Sequence, residues 1–155
     1  MGEMLSVQNR VPRCFGCGPE NPTGLKLRFL KEDDNTVSTR FTAPKDWTGF
    51  EDILHGGFQG LLLDETMAWA AWALGDGFVF ITKEMTVRYL KPVHVCRPLL
   101  IIGRLHEKGS KQFKTRGEIR DEQGNLLTEA EGVFVRVSNE KFRILLGQEN
   151  LLKEV

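Results

Sequence analysis

The sequence predicts an α+β domain in which a curved antiparallel sheet wraps around one long central helix. Three observations carry that prediction. Residues 57–74 contain no proline and are dominated by Ala, Leu and Met, which are strong helix formers. Nearly every face of this helix is apolar, so nearly every face must be covered. Two β-type stretches precede it and four follow it, all separated by short turn signals. A sheet that covers several faces of one helix has to curl.

Taken in order, residues 1–24 are rich in polar, Pro and Gly residues and read as irregular chain. Residues 25–30 alternate apolar and polar with period two, as a half-buried strand does. Asp33-Asp34-Asn35 supplies a turn, and residues 36–41 read as the returning strand of a hairpin. Residues 43–52 form a loop carrying Pro44, Trp47 and Gly49. His55-Gly56-Gly57 then opens the helix, which at ~1.5 Å per residue runs roughly 27 Å. Gly75-Asp76-Gly77 ends it, because glycine accepts the left-handed conformation of a C-cap. Four strands are expected at 78–90, 99–107, 112–120 and 126–137, rich in Val, Ile, Phe and Thr. They are broken at Lys91-Pro92, Arg97-Pro98, Lys108-Gly109-Ser110-Lys111 and Asp121-Glu122-Gln123-Gly124-Asn125, the last a strong hairpin signal. Residues 139–155 read as a short helical or frayed tail. The chain of 155 residues shows no internal repeat and is expected to form a single domain, 1–155.

Composition removes several classes of function. The 21 basic and 21 acidic residues balance, so charge offers nothing to a nucleic acid. A membrane span at the central helix would carry Asp64 and Glu65 at its middle, each costing about 2.5–3.5 kcal/mol in lipid. The N-terminus has no apolar signal core, which points to the cytoplasm. Three cysteines, Cys14, Cys17 and Cys96, make no disulfide framework, and thiols stay reduced in that compartment.

Gly57, Gly60, Asp64, Ala68, Ala71 and Gly75 fall at helical i, i+3 and i+4 steps and form a stripe of small residues interrupted by one carboxylate. Such a stripe serves either close packing or a ligand channel with Asp64 facing the reactive atom, and the spacing leaves both open. Glu65 points about 100° away and is not a working partner for Asp64. Cys14-x-x-Cys17 has three readings: packing of a loop, half of a zinc site completed by His94, Cys96 or His106, or a cysteine nucleophile lacking an evident base. Loop packing is the expectation, with no metal and no cofactor.

On these residues the chain resembles the hotdog-fold acyl-CoA thioesterases, in particular the phenylacetic acid degradation type. The resemblance rests on His55-Gly56-Gly57 followed by Asp64 on the central helix, and on Cys14-Phe15-Gly16-Cys17-Gly18, Asn21-Pro22 and Gly24-Leu25. It covers most of the chain, from about residue 12 to residue 137. It implies that Asp64 acts as general base or as nucleophile, and that the N–H of Gly56 or Gly57 polarises the thioester carbonyl. It further implies that the Thr82 hydroxyl positions the water, and that Lys108, Gly109, Ser110 and Lys111 lie near the CoA phosphates. Many relatives carry an Asn or Gln just before the His-Gly-Gly; here that stretch is Trp47-Thr48-Gly49-Phe50-Glu51-Asp52, with Thr48 as the stand-in. Phe58, Trp69 and Trp72 are the aromatic candidates for lining an acyl pocket, although with Leu62 they form a stripe of the kind that more often packs a core. The family also implies a homodimer or a dimer of dimers, with the site at the interface.

The residues fit that chemistry on their own terms. Thioester hydrolysis needs an activated water or nucleophile, plus donors aimed at the oxygen that becomes negative. N–H groups at a helix N-terminus are such donors, and glycine lets a substrate approach them. His55 is expected to be mainly structural, holding the helix entry through its ring. Two other readings stand beside hydrolysis. A hotdog dehydratase or hydratase would need a His facing a carboxylate, and the His-Phe-Pro with a following Pro-Gly of the acyl-carrier-protein dehydratases is absent. A non-catalytic acyl-CoA-binding protein is the other.

Overall fold

The computed structural model describes residues 2–5, 11–74 and 79–146. Its strands are β1 (Glu3–Met4), β2 (Leu30–Lys31), β3 (Thr36–Thr42), β4 (Thr48–Phe50), β5 (Ile53–Leu54), β6 (Val79–Tyr89), β7 (Pro98–Lys108), β8 (Gln112–Arg120) and β9 (Leu126–Val137). Helix α1 (Gly56–Leu74) separates β5 from β6, and α2 (Asn139–Leu146) closes the described part. Seven strands form one antiparallel sheet in the order β1-β2-β3-β7-β8-β9-β6, while β4 and β5 make a separate hairpin. The predicted cap Gly75-Asp76-Gly77, Phe78 and tail residues 147–155 lie outside the described residues.

Helix α1 packs across one face of the sheet, touching β3, β6, β7, β8 and β9. It comes in close because the strands beneath it lack side chains at the crossing. Gly103 of β7 and Gly117 of β8 are cross-strand partners. A Cβ on Gly103 would stand 2.6 Å from the Thr66 carbonyl oxygen, and one on Gly117 would stand 2.9 Å from a Leu63 methyl. Leu62, Leu63 and Met67 fill the space on either side, fully buried with Phe29, Ile101, Phe113, Ile119 and Phe134. The strands also carry paired charges, among them Arg88–Glu129 at 2.8 Å and Arg104–Glu118 at 3.2 Å. Gly103→Ala is therefore expected to cost about 1–3 kcal/mol by overpacking, read as a lower denaturation midpoint. Gly60→Ala is the control, because its Cβ would meet only the Met85 Cε at 3.8 Å; equal effects from the two would remove the close-approach argument.

Two local expectations differ from what forms. Residues 25–30 alternate as predicted, with Leu27 and Phe29 buried and Arg28 exposed, but only Leu30–Lys31 joins the sheet. Lys26 takes a left-handed φ of 56°, and the N–H groups of Leu25 and Leu27 donate to the Phe15 and Gly16 carbonyls. The stretch is thus claimed by the N-terminal turn and not by a strand ladder. Residues 43–52, expected as loop, contain β4, which turns back onto β5 through Glu51 at φ 50°. The described residues between 1 and 24 are irregular as expected except for β1, which pairs with β2.

Candidate active site

The entry to α1 is built around His55. Its N–H donates to the Trp47 carbonyl (2.9 Å), and its own carbonyl accepts from Phe58 (3.0 Å) and Gln59 (3.3 Å). The His55 ring accepts the Gly57 N–H at Nδ1, 2.9 Å away, so it satisfies one of the donors that a helix start leaves open. That bond occupies one of the two glycine donors. The Gly56 N–H has no acceptor among the described residues. Tyr89, at the end of β6, lies against Gly56 and donates its hydroxyl to the Gly56 carbonyl at 3.1 Å.

Sequence reasoning missed the amide that locks this turn. Gln59 is buried, its Nε2 donating to the Leu54 carbonyl (3.0 Å) and its Oε1 accepting from Thr128 (2.6 Å). A lone Gln one turn into an apolar helix was the available signal. Thr48 is half-buried in β4, opposite Leu54, which places it beside the His55 turn. Phe58 is half-buried and stacks on Trp47 with centroids 4.2 Å apart.

Two turns along the helix, Asp64 accepts a 2.7 Å hydrogen bond from the Thr82 hydroxyl of β6 at Oδ1. Asp64 and Thr82 are 18 positions apart in sequence and only the docking of β6 on α1 brings them together. Both are half-buried, and Oδ2 accepts no hydrogen bond among the described residues. Gly57 is exposed, and Gly60, Leu61 and Ala68 are half-buried, so this stripe is the open side of α1. Ala71 departs from the expected stripe: it is fully buried and faces the core. The strand beside the stripe, β6, is a long edge of the sheet, unpaired on its outer side among the described residues.

The basic hairpin lies at the end of β7, closed by the Gly109 N–H donating to Gln112. Lys108 stands 6.0 Å over the Phe113 ring, and Ser110 and Lys111 are exposed. Thr82, Phe134, Phe113 and Lys108 are successive cross-strand partners in one row. Three strand spacings put the hairpin about 14 Å from Thr82. A concavity of about 270 Å³ lined by Glu84, His106, Arg116 and Glu131 is a separate feature that does not include Asp64.

Glu65 turns the other way, toward the N-terminal segment. Cys14 Sγ lies 3.5 and 3.6 Å from its two carboxyl oxygens, and Trp69 Nε1 donates to Oε1 at 3.2 Å. Cys17 is fully buried beside them. His94, Cys96 and His106, the possible completions of the alternative zinc reading, are not in the cluster: His94 pairs with Asp52 at 2.9 Å, and the group able to hold a metal among the described residues is Cys14, Cys17 and Glu65. The Cys17 thiol, directed at the Cys14 sulfur, holds the Cys14 thiol down to about 5, while that same contact and burial push Cys17 up. Burial pushes the Glu65 carboxyl up to about 7. Metal-free protein is accordingly expected to be alkylated by iodoacetamide at Cys14 at pH 6, with the rate falling as pH drops through about 5. Cys17 should stay unlabelled until the chain is denatured. Peptide mapping that found Cys17 labelled first would reverse this assignment.

Residues 51–128 match the thioesterase superfamily. A protein of Saccharolobus solfataricus, named a conjectural esterase, is 30% identical over 108 residues, which are 70% of this chain and 76% of that one. The chain belongs to the thioesterase superfamily. Among solved structures, the thioesterase superfamily protein RHA08564 superposes with a TM-score of 0.73 at 26% identity, over 84% of this chain and 68% of that one. The Escherichia coli PaaI protein of the phenylacetic acid degradation operon gives 0.67 at 18% identity, over 74% and 81%. A hypothetical thioesterase of Streptococcus pneumoniae, solved with coenzyme A, gives 0.66 at 19% identity, over 72% and 89%. The latter two likenesses establish the hotdog fold. Superfamily membership supports a thioesterase-like hydrolase activity for this chain, and none of its described helices is long and apolar enough to cross a membrane.

Proposed function

We propose that the protein is an acyl-CoA thioesterase of the phenylacetic acid degradation type, hydrolysing a CoA thioester to a free acid and CoA. The observation that carries the reading is Asp64, oriented by Thr82 on the open stripe of α1 with Oδ2 left to accept a proton from water or to attack the thioester carbon. The Gly56 N–H is the carbonyl donor, since His55 occupies that of Gly57. The coenzyme A held by the S. pneumoniae neighbour supports CoA as the leaving group. The free thiols Cys14, Cys17 and Cys96 suit the reducing cytoplasm.

The spacing of donor and base supports a two-chain site. Gly56 and Asp64 are eight residues apart on one helix, about 12 Å along its axis. A donor and a base that act on one carbonyl through one water are separated by only roughly 7 Å. The Gly56 of one chain therefore works with the Asp64 of a second copy whose α1 runs antiparallel across the open stripe. The unpaired edge of β6, eleven residues long, is the natural seam for that copy.

Release of free thiol from short-chain, medium-chain and aryl acyl-CoAs tests the reading and names the acyl class. Tight CoA-thioester binding without turnover on any member would replace it with the non-catalytic acyl-CoA-binding reading. Lys108→Ala combined with Lys111→Ala is expected to raise KM for full CoA thioesters several-fold at low salt, with the difference shrinking as salt screens the phosphates. Pantetheine thioesters should be unaffected; an equal loss on them would take the hairpin out of the phosphate site.

A further inference from the structure

We propose that Cys14, Cys17 and Glu65 bind a zinc-type divalent cation that clips the N-terminal segment to the middle of α1. The three residues come from elements 51 positions apart, yet one ligand atom from each lies within 4.8 Å of the others. Tetrahedral zinc, with Zn–S near 2.3 Å and Zn–O near 2.0–2.2 Å, sets its sulfur and oxygen ligands about 3.5 Å apart. Cys14 Sγ stands 3.5 and 3.6 Å from the Glu65 oxygens. Small shifts of side chains already in place would complete the site.

The backbone around the cysteines is shaped to present them. The turn from Cys14 to Gly18 is closed by the Gly18 N–H donating to the Cys14 carbonyl at 2.9 Å. It is so tight that a Cβ on Gly18 would stand 2.4 Å from the Cys14 nitrogen. Gly16 lets the same turn press onto Glu65, where a Cβ would meet the carboxyl carbon at 2.5 Å. Trp69 Nε1, hydrogen-bonded to Glu65 Oε1, fixes the carboxylate from behind, as outer-shell donors do for metal ligands. Two thiolates with one carboxylate favour zinc over magnesium or calcium, which prefer all-oxygen sets. Cys14 and Glu65 are half-buried, which leaves an entry path and room for water as a fourth ligand. None of the three groups takes part in the proposed hydrolysis at Asp64, so the clip holds the fold around the site without supplying its chemistry.

The test is zinc binding by the purified full chain, first stripped with a chelator and then titrated with Zn²⁺ or Co²⁺. About one equivalent per chain is expected, with near-ultraviolet sulfur-to-cobalt charge-transfer bands in the Co²⁺ form. Zinc should raise the melting temperature of the stripped chain and protect Cys14 from alkylation. Cys14→Ser, at a half-buried position, should lose the bands and the zinc-induced shift while melting where the stripped parent melts. Glu65→Gln, which trades a charged ligand for a neutral one, should weaken binding by more than the roughly 10-fold that losing an outer-shell partner costs, and Cys96→Ser should bind like the parent. Binding by the parent no tighter than by Cys14→Ser overturns the proposal. So does an unchanged affinity in Glu65→Gln, or a Cys14–Cys17 disulfide that forms with a low-molecular-weight disulfide as readily with zinc present as without it.

Discussion

Asp64→Asn will abolish thioester hydrolysis, lowering turnover by about 10²–10⁴-fold, the range a positioned general base supplies. The substitution keeps the shape of the side chain and leaves an oxygen to accept the 2.7 Å bond that the Thr82 hydroxyl donates. The fold, assembly and CoA affinity should therefore survive, and the loss should fall on kcat and not on KM. The amide lacks the proton-accepting oxygen that faces the open stripe, and it is a poor nucleophile. Thiol release measured beside a melting curve and a CoA titration separates chemistry from folding. Unchanged turnover in a well-folded variant would move the reaction away from Asp64.

Gly56→Pro will cost about as much as losing an oxyanion donor elsewhere does, roughly 10²–10³ in turnover, with little loss of stability. Gly56 is the first residue of α1, the position where proline fits a helix best because its N–H is unused by the helix. A Cβ at this position would meet the Tyr89 side chain at 3.2–3.3 Å, a flexible neighbour that can swing aside. What disappears is the one N–H at the helix start that His55 does not occupy. Mixing this variant with Asp64→Asn decides whether the site spans two chains. If donor and base come from different copies, half the dimers in a random mixture are mixed and each holds one intact site. Activity then returns to about a quarter of the parent's. No recovery, with chain exchange verified by mass, would return both groups to one chain.

Residues, spacing and hydrophobic period by themselves settled much of this protein. An apolar helix without proline needs cover on every side, so the long helix inside an antiparallel sheet was readable from 57–74 and the flanking strands. The hairpin at Lys108 to Lys111 and the turn at Asp121 to Asn125 were readable because Gly, Asn and Asp mark turns by local backbone chemistry.

Contacts between distant segments were not legible, because periodicity assigns a face to a residue but not the neighbour it meets there. Only tertiary packing set Thr82 on Asp64, Thr128 on Gln59 and Cys14 on Glu65. It also drew residues 25–29 out of the expected strand, since the Phe15 and Gly16 carbonyls claimed the Leu25 and Leu27 N–H groups that a neighbouring strand would have taken. Glu65 carries the same lesson: the 100° helical step already turned it away from Asp64, but only the packing of the N-terminal turn on α1 showed that it meets Cys14 there.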